Sequence, residues 1–237
     1  MFVTPGNHED WGQLTARSAR EPGGAVQLSR VVWVLPRGFR FTLGGHSWMS
    51  FGCAASVDRE FRTEGVDWWA EEAPTGRDVE HAIAGGPVEV MLTHEAINGG
   101  TSTVENILAT NPMGWPAAAM SYSAKSREKV TRVWDAVHPK VPAHGHFHVK
   151  GEIELPNSRR VYSLGCNGQN GNLALLNTRP WRRRRWPGRR HWRLLVTFPP
   201  RPAPLPRTRG QACWCWCCLS SCQFNNPAAV GVVGFRD

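Results

Sequence analysis

Residues 143–148 read Ala143-His144-Gly145-His146-Phe147-His148, with a histidine at every second position. In an extended strand, side chains two apart point to the same face, so the three imidazoles are predicted to line one rim of a sheet. Neutral imidazole is the commonest metal ligand among protein side chains, and this spacing points to a metal site. Gly145 has no Cβ, which lets a backbone or ligand approach between the histidines. The structural alternative is a solvated, histidine-rich strand end. Two further stretches weigh against it: Gly6-Asn7-His8-Glu9 near the N-terminus, and Leu92-Thr93-His94-Glu95 after an apolar run.

Taken in order, Gly-Asn-His-Glu, a histidine after a hydrophobic strand and Gly-His-x-His at 145–148 resemble the second half of a calcineurin-like metallophosphoesterase, over residues 1–177. The ordered set is far more specific than Gly-His-x-His alone. The resemblance implies an α/β fold, a two-sheet αββα sandwich, and hydrolysis of phosphate mono- or diesters by a metal-activated hydroxide. The family pattern carries two earlier motifs, Asp-x-His and Gly-Asp-x-x-Asp. Here Gly-Asn-His-Glu begins at Gly6. The sandwich is therefore expected to be incomplete at its N-terminus, with one or more central strands missing.

The resemblance also implies roles. Asn7 resembles the amide-oxygen ligand of a second metal, His94 and His146 resemble imidazole ligands of that same ion, and His148 resembles a ligand of a first metal. His8 resembles the non-ligand histidine that faces the substrate, as general acid to the leaving oxygen or as a stabiliser of phosphoryl charge. Glu9 is placed to accept the His8 ring proton, a solvated carboxylate being the other reading. His144 is not assigned to metal. Mixed oxygen and nitrogen ligands suit two divalent ions of manganese, iron or zinc better than magnesium or calcium. The two earlier motifs would supply the bridging carboxylate and most first-metal ligands. Hydrolysis by this chain is accordingly expected to be impaired, and a catalytically inactive relic of the fold is the neighbouring reading.

Length and composition fit one domain, or one plus an appendage. No apolar run reaches the roughly 18 residues of a membrane span. Met1–Pro5 lacks the basic start and long apolar core of a signal peptide, which leaves the cytoplasm as the default location. The net charge of +9 is unevenly placed. Residues 179–237 hold 12 Arg, no Lys and one acid, so the body carries a net −2 and the basic excess sits in the tail. Cysteines divide likewise, with only Cys53 and Cys166 in the body, which does not look like a disulfide scaffold.

Along the body, Phe2-Val3-Thr4 reads as the end of a strand, and Pro5-Gly6 turns Asn7 and His8 onto a loop at its C-terminal edge, where ligands of α/β sheets collect. Trp11–Arg20 reads as a short helix. Val31–Leu35 is a continuous apolar run, predicted as a strand buried on both faces. Phe39–Leu43 and Trp48–Gly52 read as antiparallel neighbours. Ser56–Glu72 reads as a loop with a short helix. Its Asp58, Arg59 and Arg62 suit either a substrate phosphate or an ordinary ion-pair cluster. Thr75–Ala84, Thr101–Ala109 and Lys125–Val137 are predicted helices, and Val88–Leu92 a strand. Strands follow at 151–155, 161–164 and 173–176.

Composition changes after Thr178. Three readings compete for the tail. Arg182-Arg183-Arg184-Arg185, with Trp181, Trp186 and Trp192, suits a nucleic-acid-binding arm. The cysteines at 213, 215, 217, 218 and 222 suggest zinc but lack paired Cys-x-x-Cys spacing. The third reading, which we favour, is that the Arg, Trp, Pro, Gly and Cys of this tail are the out-of-frame product of a GC-rich gene. An irregular tail over 178–237 follows from it. The main alternative to a phosphoesterase is a nucleic-acid-binding protein acting through this tail.

Overall fold

The apolar run ending at Leu92 becomes a central strand of a six-stranded sheet, and its two neighbours explain why it is apolar throughout. A computed structural model describes residues 1–167, 169, 171–177, 195–197 and 230–233. In chain order the elements are β1 (Phe2–Val3), α1 (Trp11–Ser18), β2 (Val26–Ser29), β3 (Val32–Val34), β4 (Phe39–Leu43), β5 (His46–Phe51), α2 (Gly76–Ala84), β6 (Val90–Thr93), α3 (Ser102–Thr110), α4 (Ala117–Val137), β7 (Val141–His144), β8 (Gly151–Leu155), β9 (Arg159–Ser163), β10 (Ala174–Asn177), β11 (Leu195–Thr197) and β12 (Val230–Val233). The class is mixed α/β. No helix among the described residues is long and apolar enough to cross a membrane.

The large sheet runs β4-β5-β6-β7-β9-β8. Its inner strands β5, β6, β7 and β9 are parallel, and an antiparallel strand closes each edge. Strand side chains alternate in direction, so the inner strands feed two cores, one on each face. Met49, Phe51, Met91 and Val161 pack with Val79 and Ala82 of α2 and Val130, Val133 and Val137 of α4. Trp48, Val90, Leu92, Val141, Ala143 and Tyr162 pack on the opposite side with Leu176 of β10. Parallel strands covered on both faces must be apolar at nearly every position. A second sheet, β1-β3-β2, joins β1 and β3 in parallel.

Local chemistry sets the helix ends. The Thr75 hydroxyl accepts from the Asp78 amide while the Asp78 carboxylate accepts from the Thr75 amide, a reciprocal cap that starts α2. Thr101 stands at the cap position of α3, but its hydroxyl pairs with Ser163 Oγ at 3.0 Å instead.

Three expectations are corrected. Val31–Leu35 is not a strand buried on both faces. Only Val32–Val34 pairs, and Val31 is 61% exposed, because the chain turns at Arg30–Val31 between β2 and β3. Helix α4 starts at Ala117, eight residues before Lys125. Its first half buries Ala119, Ser123 and Ser126, small side chains that leave no apolar stripe to read. The tail is not irregular throughout, since β11 and β12 pair antiparallel with the two edges of β10. Leu195-Val196-Thr197 and Val230–Val233 are rich in β-branched residues, which suit a sheet edge. Arg182–Arg185, the three neighbouring tryptophans and Cys213–Cys222 lie outside the described residues.

Cys53 follows β5 and is fully buried, and burial pushes its thiol well above the ordinary range. Alkylation needs the thiolate, so Cys53 is expected to stay unlabelled by iodoacetamide in the native protein and to react on unfolding. Peptide mapping by mass spectrometry reads this directly. Native-state labelling at Cys53 would contradict the packing of β5.

Candidate metal centre

The Gly6–His8 loop is held on several sides. Leu35 N donates to Val3 O at 2.9 Å, and Thr4 Oγ1 pairs with Ser50 Oγ at 3.0 Å. Trp11 Nε1 donates to Gly6 O at 2.8 Å. The Arg37 guanidinium lies 4.5 Å above the Trp11 ring and donates to Gly52 O at 2.7 Å and to Asp78 at 3.0 Å. One arginine thus ties the loop's anchor to the ends of β5 and α2. Gly6 is needed for closeness. A Cβ there would lie 2.8 Å from His94 Cδ2 and 2.9 Å from its Nε2. The His94 ring rests directly on the Gly6 backbone.

His94 sits one residue past β6 and is buried, and its ring meets that of His146 edge-on at 5.3 Å. The three alternating histidines do not share a strand face, which corrects the period-two reading. Strand β7 ends at His144, where Gly145 N turns to donate to His94 O at 3.2 Å. His146 and His148 then take left-handed backbone, with φ of 67° and 56°. Such conformations cost on the order of 1–3 kcal/mol each in non-glycine residues and collect at functional sites. His146 is stacked edge-on against Phe147 at 5.1 Å, while His148 and His8 are exposed. His144 points elsewhere in function: its Nδ1 donates to Gly145 O at 3.1 Å, and burial pushes its pKa down to about 4.

Burial holds His94 well below the ordinary histidine range, and the nearby His146, His8, His148 and His144 depress it further. His94 is therefore neutral, the form that ligates metals. Asn7 is buried, and its Nδ2 donates to Ser56 Oγ at 3.0 Å and to His8 Nε2 at 3.3 Å. Its Oδ1 is buried and accepts no hydrogen bond among the described residues. A buried amide oxygen without a hydrogen bond, in the loop that lies on the neutral His94 imidazole, fits a cation. Counting only His, Cys, Asp and Glu, no group of three or more is gathered to hold a metal among the described residues. What the fold brings together is the His94–His146 pair and the Gly6–His8 loop lying on it.

Several residues were missed by sequence reasoning. Glu95 is fully buried and accepts from the amides of Ala55 at 3.2 Å and Ala96 at 3.1 Å. Its Oε1 is 4.0 Å from His146 Nε2, too far for a hydrogen bond but close enough for charge to act. Burial pushes this carboxyl up to about 7 against the pull of Arg127. Glu95 stands next to His94 in the sequence, and that adjacency was the available signal. Ser56 and Glu72 carry no such signal. Of the loop's charged group, Arg62 pairs with Asp58 at 2.7 Å and Arg59 lies 4.0 Å above the Tyr122 ring, as in an ordinary surface cluster. No family model matches this chain, and no curated protein matches it.

Proposed function

We propose that residues 1–177 form a calcineurin-like metallophosphoesterase domain of the two-sheet αββα type, hydrolysing phosphate mono- or diesters with divalent cations. The observation that carries this reading is convergence. Three stretches far apart in sequence meet at one place: Gly6 rests on the His94 ring, and His94 meets His146. The layering agrees with the proposed sandwich, with α2 and α4 on one face of the large sheet and β10 on the other.

Asn7 Oδ1 with the imidazoles of His94 and His146 would hold one cation, and His148 would contribute to a second. Divalent cations, when bound, supply Lewis-acid polarisation of phosphoryl oxygens and activate water as a nucleophile. The chain's own residues do the rest. Because an amide NH2 only donates, His8 Nε2 must accept from Asn7 Nδ2, and the proton of neutral His8 then sits on Nδ1. A neutral His8 with its proton on Nδ1 would donate a hydrogen bond from that nitrogen to the phosphoryl group and stabilise the charge that develops there. Asn7 therefore sets the His8 tautomer as well as offering its oxygen.

Slow, Mn2+-dependent hydrolysis of bis(p-nitrophenyl) phosphate is the expected result, lost on chelation and in His8→Ala. Release of p-nitrophenolate reads the rate. Hydrolysis that is equal with and without Mn2+, or no hydrolysis at all, would overturn the enzyme reading.

A further inference from the structure

The Asn7 amide has two ends of similar shape, and only one of them suits a cation. Which end faces which way is decided by groups distant in sequence. Glu72 is fully buried at the end of the short 3-10 turn Ala70–Glu72. Its Oε1 accepts from Ser56 N at 2.6 Å and from Tyr122 OH at 3.2 Å, and its Oε2 accepts from Ser56 Oγ at 2.6 Å. Ser56 is buried as well, and its hydroxyl has a single proton. Burial pushes the Glu72 carboxyl upward and the hydrogen bonds it accepts oppose that; in its ionised form it takes the Ser56 proton. The Ser56 oxygen is left with lone pairs only, and the Asn7 group 3.0 Å away must be the donating NH2. Turning the amide over would set its oxygen against an oxygen that has no proton to give. In a buried site that mismatch costs about 1–3 kcal/mol. Both Asn7 amide hydrogens are then engaged, by Ser56 and His8, and Oδ1 is left bare.

We propose that Ser56 and Glu72 are positioning residues for the cation site, a buried relay that holds the Asn7 amide with its nitrogen toward Ser56 and its oxygen free for metal. This rests on the reading of Asn7 as a metal ligand. Glu72 touches neither metal nor substrate in this scheme; it acts by fixing the direction of the Ser56 hydroxyl. Glu72→Gln makes the logic testable because it is isosteric. Its amide oxygen can still accept from Ser56 N and Tyr122, but its NH2 then faces Ser56 Oγ. The Ser56 proton is released to donate to Asn7, and the amide is free to turn over.

The test is Mn2+ titration of the full chain, followed by electron paramagnetic resonance of the free ion, with circular dichroism as the check on folding. Partners that orient metal ligands typically contribute about 10–100-fold in affinity, and a loss in that range is expected for Ser56→Ala and Glu72→Gln. Ser56→Thr keeps the hydroxyl and should restore binding. Tyr122→Phe removes a different donor to Glu72 without touching Ser56, and should change affinity by less than about threefold, short of that range. A purely structural role would not separate Glu72→Gln from Tyr122→Phe. If the wild-type chain binds Mn2+ and Ser56→Ala and Glu72→Gln bind it equally well, or if Tyr122→Phe loses as much as they do, the relay is wrong. Should Ser56→Ala not fold, the isosteric Glu72→Gln decides alone. A wild-type chain that binds no Mn2+ removes the cation reading, and the relay with it.

Discussion

His146→Ala is expected to lower the affinity of the chain for Mn2+ by more than about 100-fold, beyond the range seen when only an outer partner of a ligand is lost. His146 holds φ at 67°, which a non-glycine side chain adopts only at a cost. That conformation sets its ring edge-on to His94 at 5.3 Å and beside the buried Glu95 carboxyl at 4.0 Å. Alanine keeps the strained backbone and removes the imidazole, so any change in binding belongs to the side chain. His144→Ala is the matched control. Its ring hydrogen-bonds to the Gly145 carbonyl, and it is assigned no metal. Isothermal titration of both variants distinguishes a built site from incidental histidines. Equal binding by His146→Ala and wild type would remove His146 from the ligand set.

Gly52→Ala is expected to destabilise the fold at or above the upper end of the 1–3 kcal/mol typical of overpacking. A Cβ at residue 52 would fall inside van der Waals contact of Pro5 Cδ, at 2.5 Å from Cγ and 2.8 Å from the backbone nitrogen. Most overpacked sites relax by moving a flexible side chain. Here the obstacle is a proline ring fused to backbone, and Gly52 O is itself clamped by Arg37. The strain must move either the end of β5 or the loop that carries Asn7. About 3 kcal/mol corresponds to a fall of about 6–12 °C in Tm for a chain of this size. Thermal unfolding followed by circular dichroism measures it, and Mn2+ affinity should fall in parallel because Pro5 leads into Asn7. An unchanged Tm would mean that the β5–Pro5 approach is looser than described.

Much of the architecture was legible because it is local. Period-two alternation marks β4 and β8, and a turn of two glycines marks the β4–β5 hairpin. The Thr75–Asp78 cap and Gly85 bracket α2. The stretch Val88–Leu92 marks β6 as a strand. Where the sequence misled, long-range contacts overrode the local pattern. His144-Gly145-His146-Phe147-His148 alternates like a strand, yet β7 ends at His144, and His146 and His148 take left-handed backbone that no strand continues. A run of five apolar residues at 31–35 made only a three-residue strand, because its first residue lies in a turn.

The residue types of the candidate site, and the order of the three stretches that carry them, are fixed by the sequence alone. Amide oxygen and imidazole nitrogen are ligands whatever the fold. Tertiary structure decided which of them meet and in what state. It laid Gly6 on the His94 ring, buried that ring so that it stays neutral, and placed Glu95 beside His146. It also turned the Asn7 amide, through a serine 49 residues away and a glutamate a further 16 beyond it. No local pattern encodes such a choice, because the two ends of an amide differ only in the partners that a folded chain presents to them.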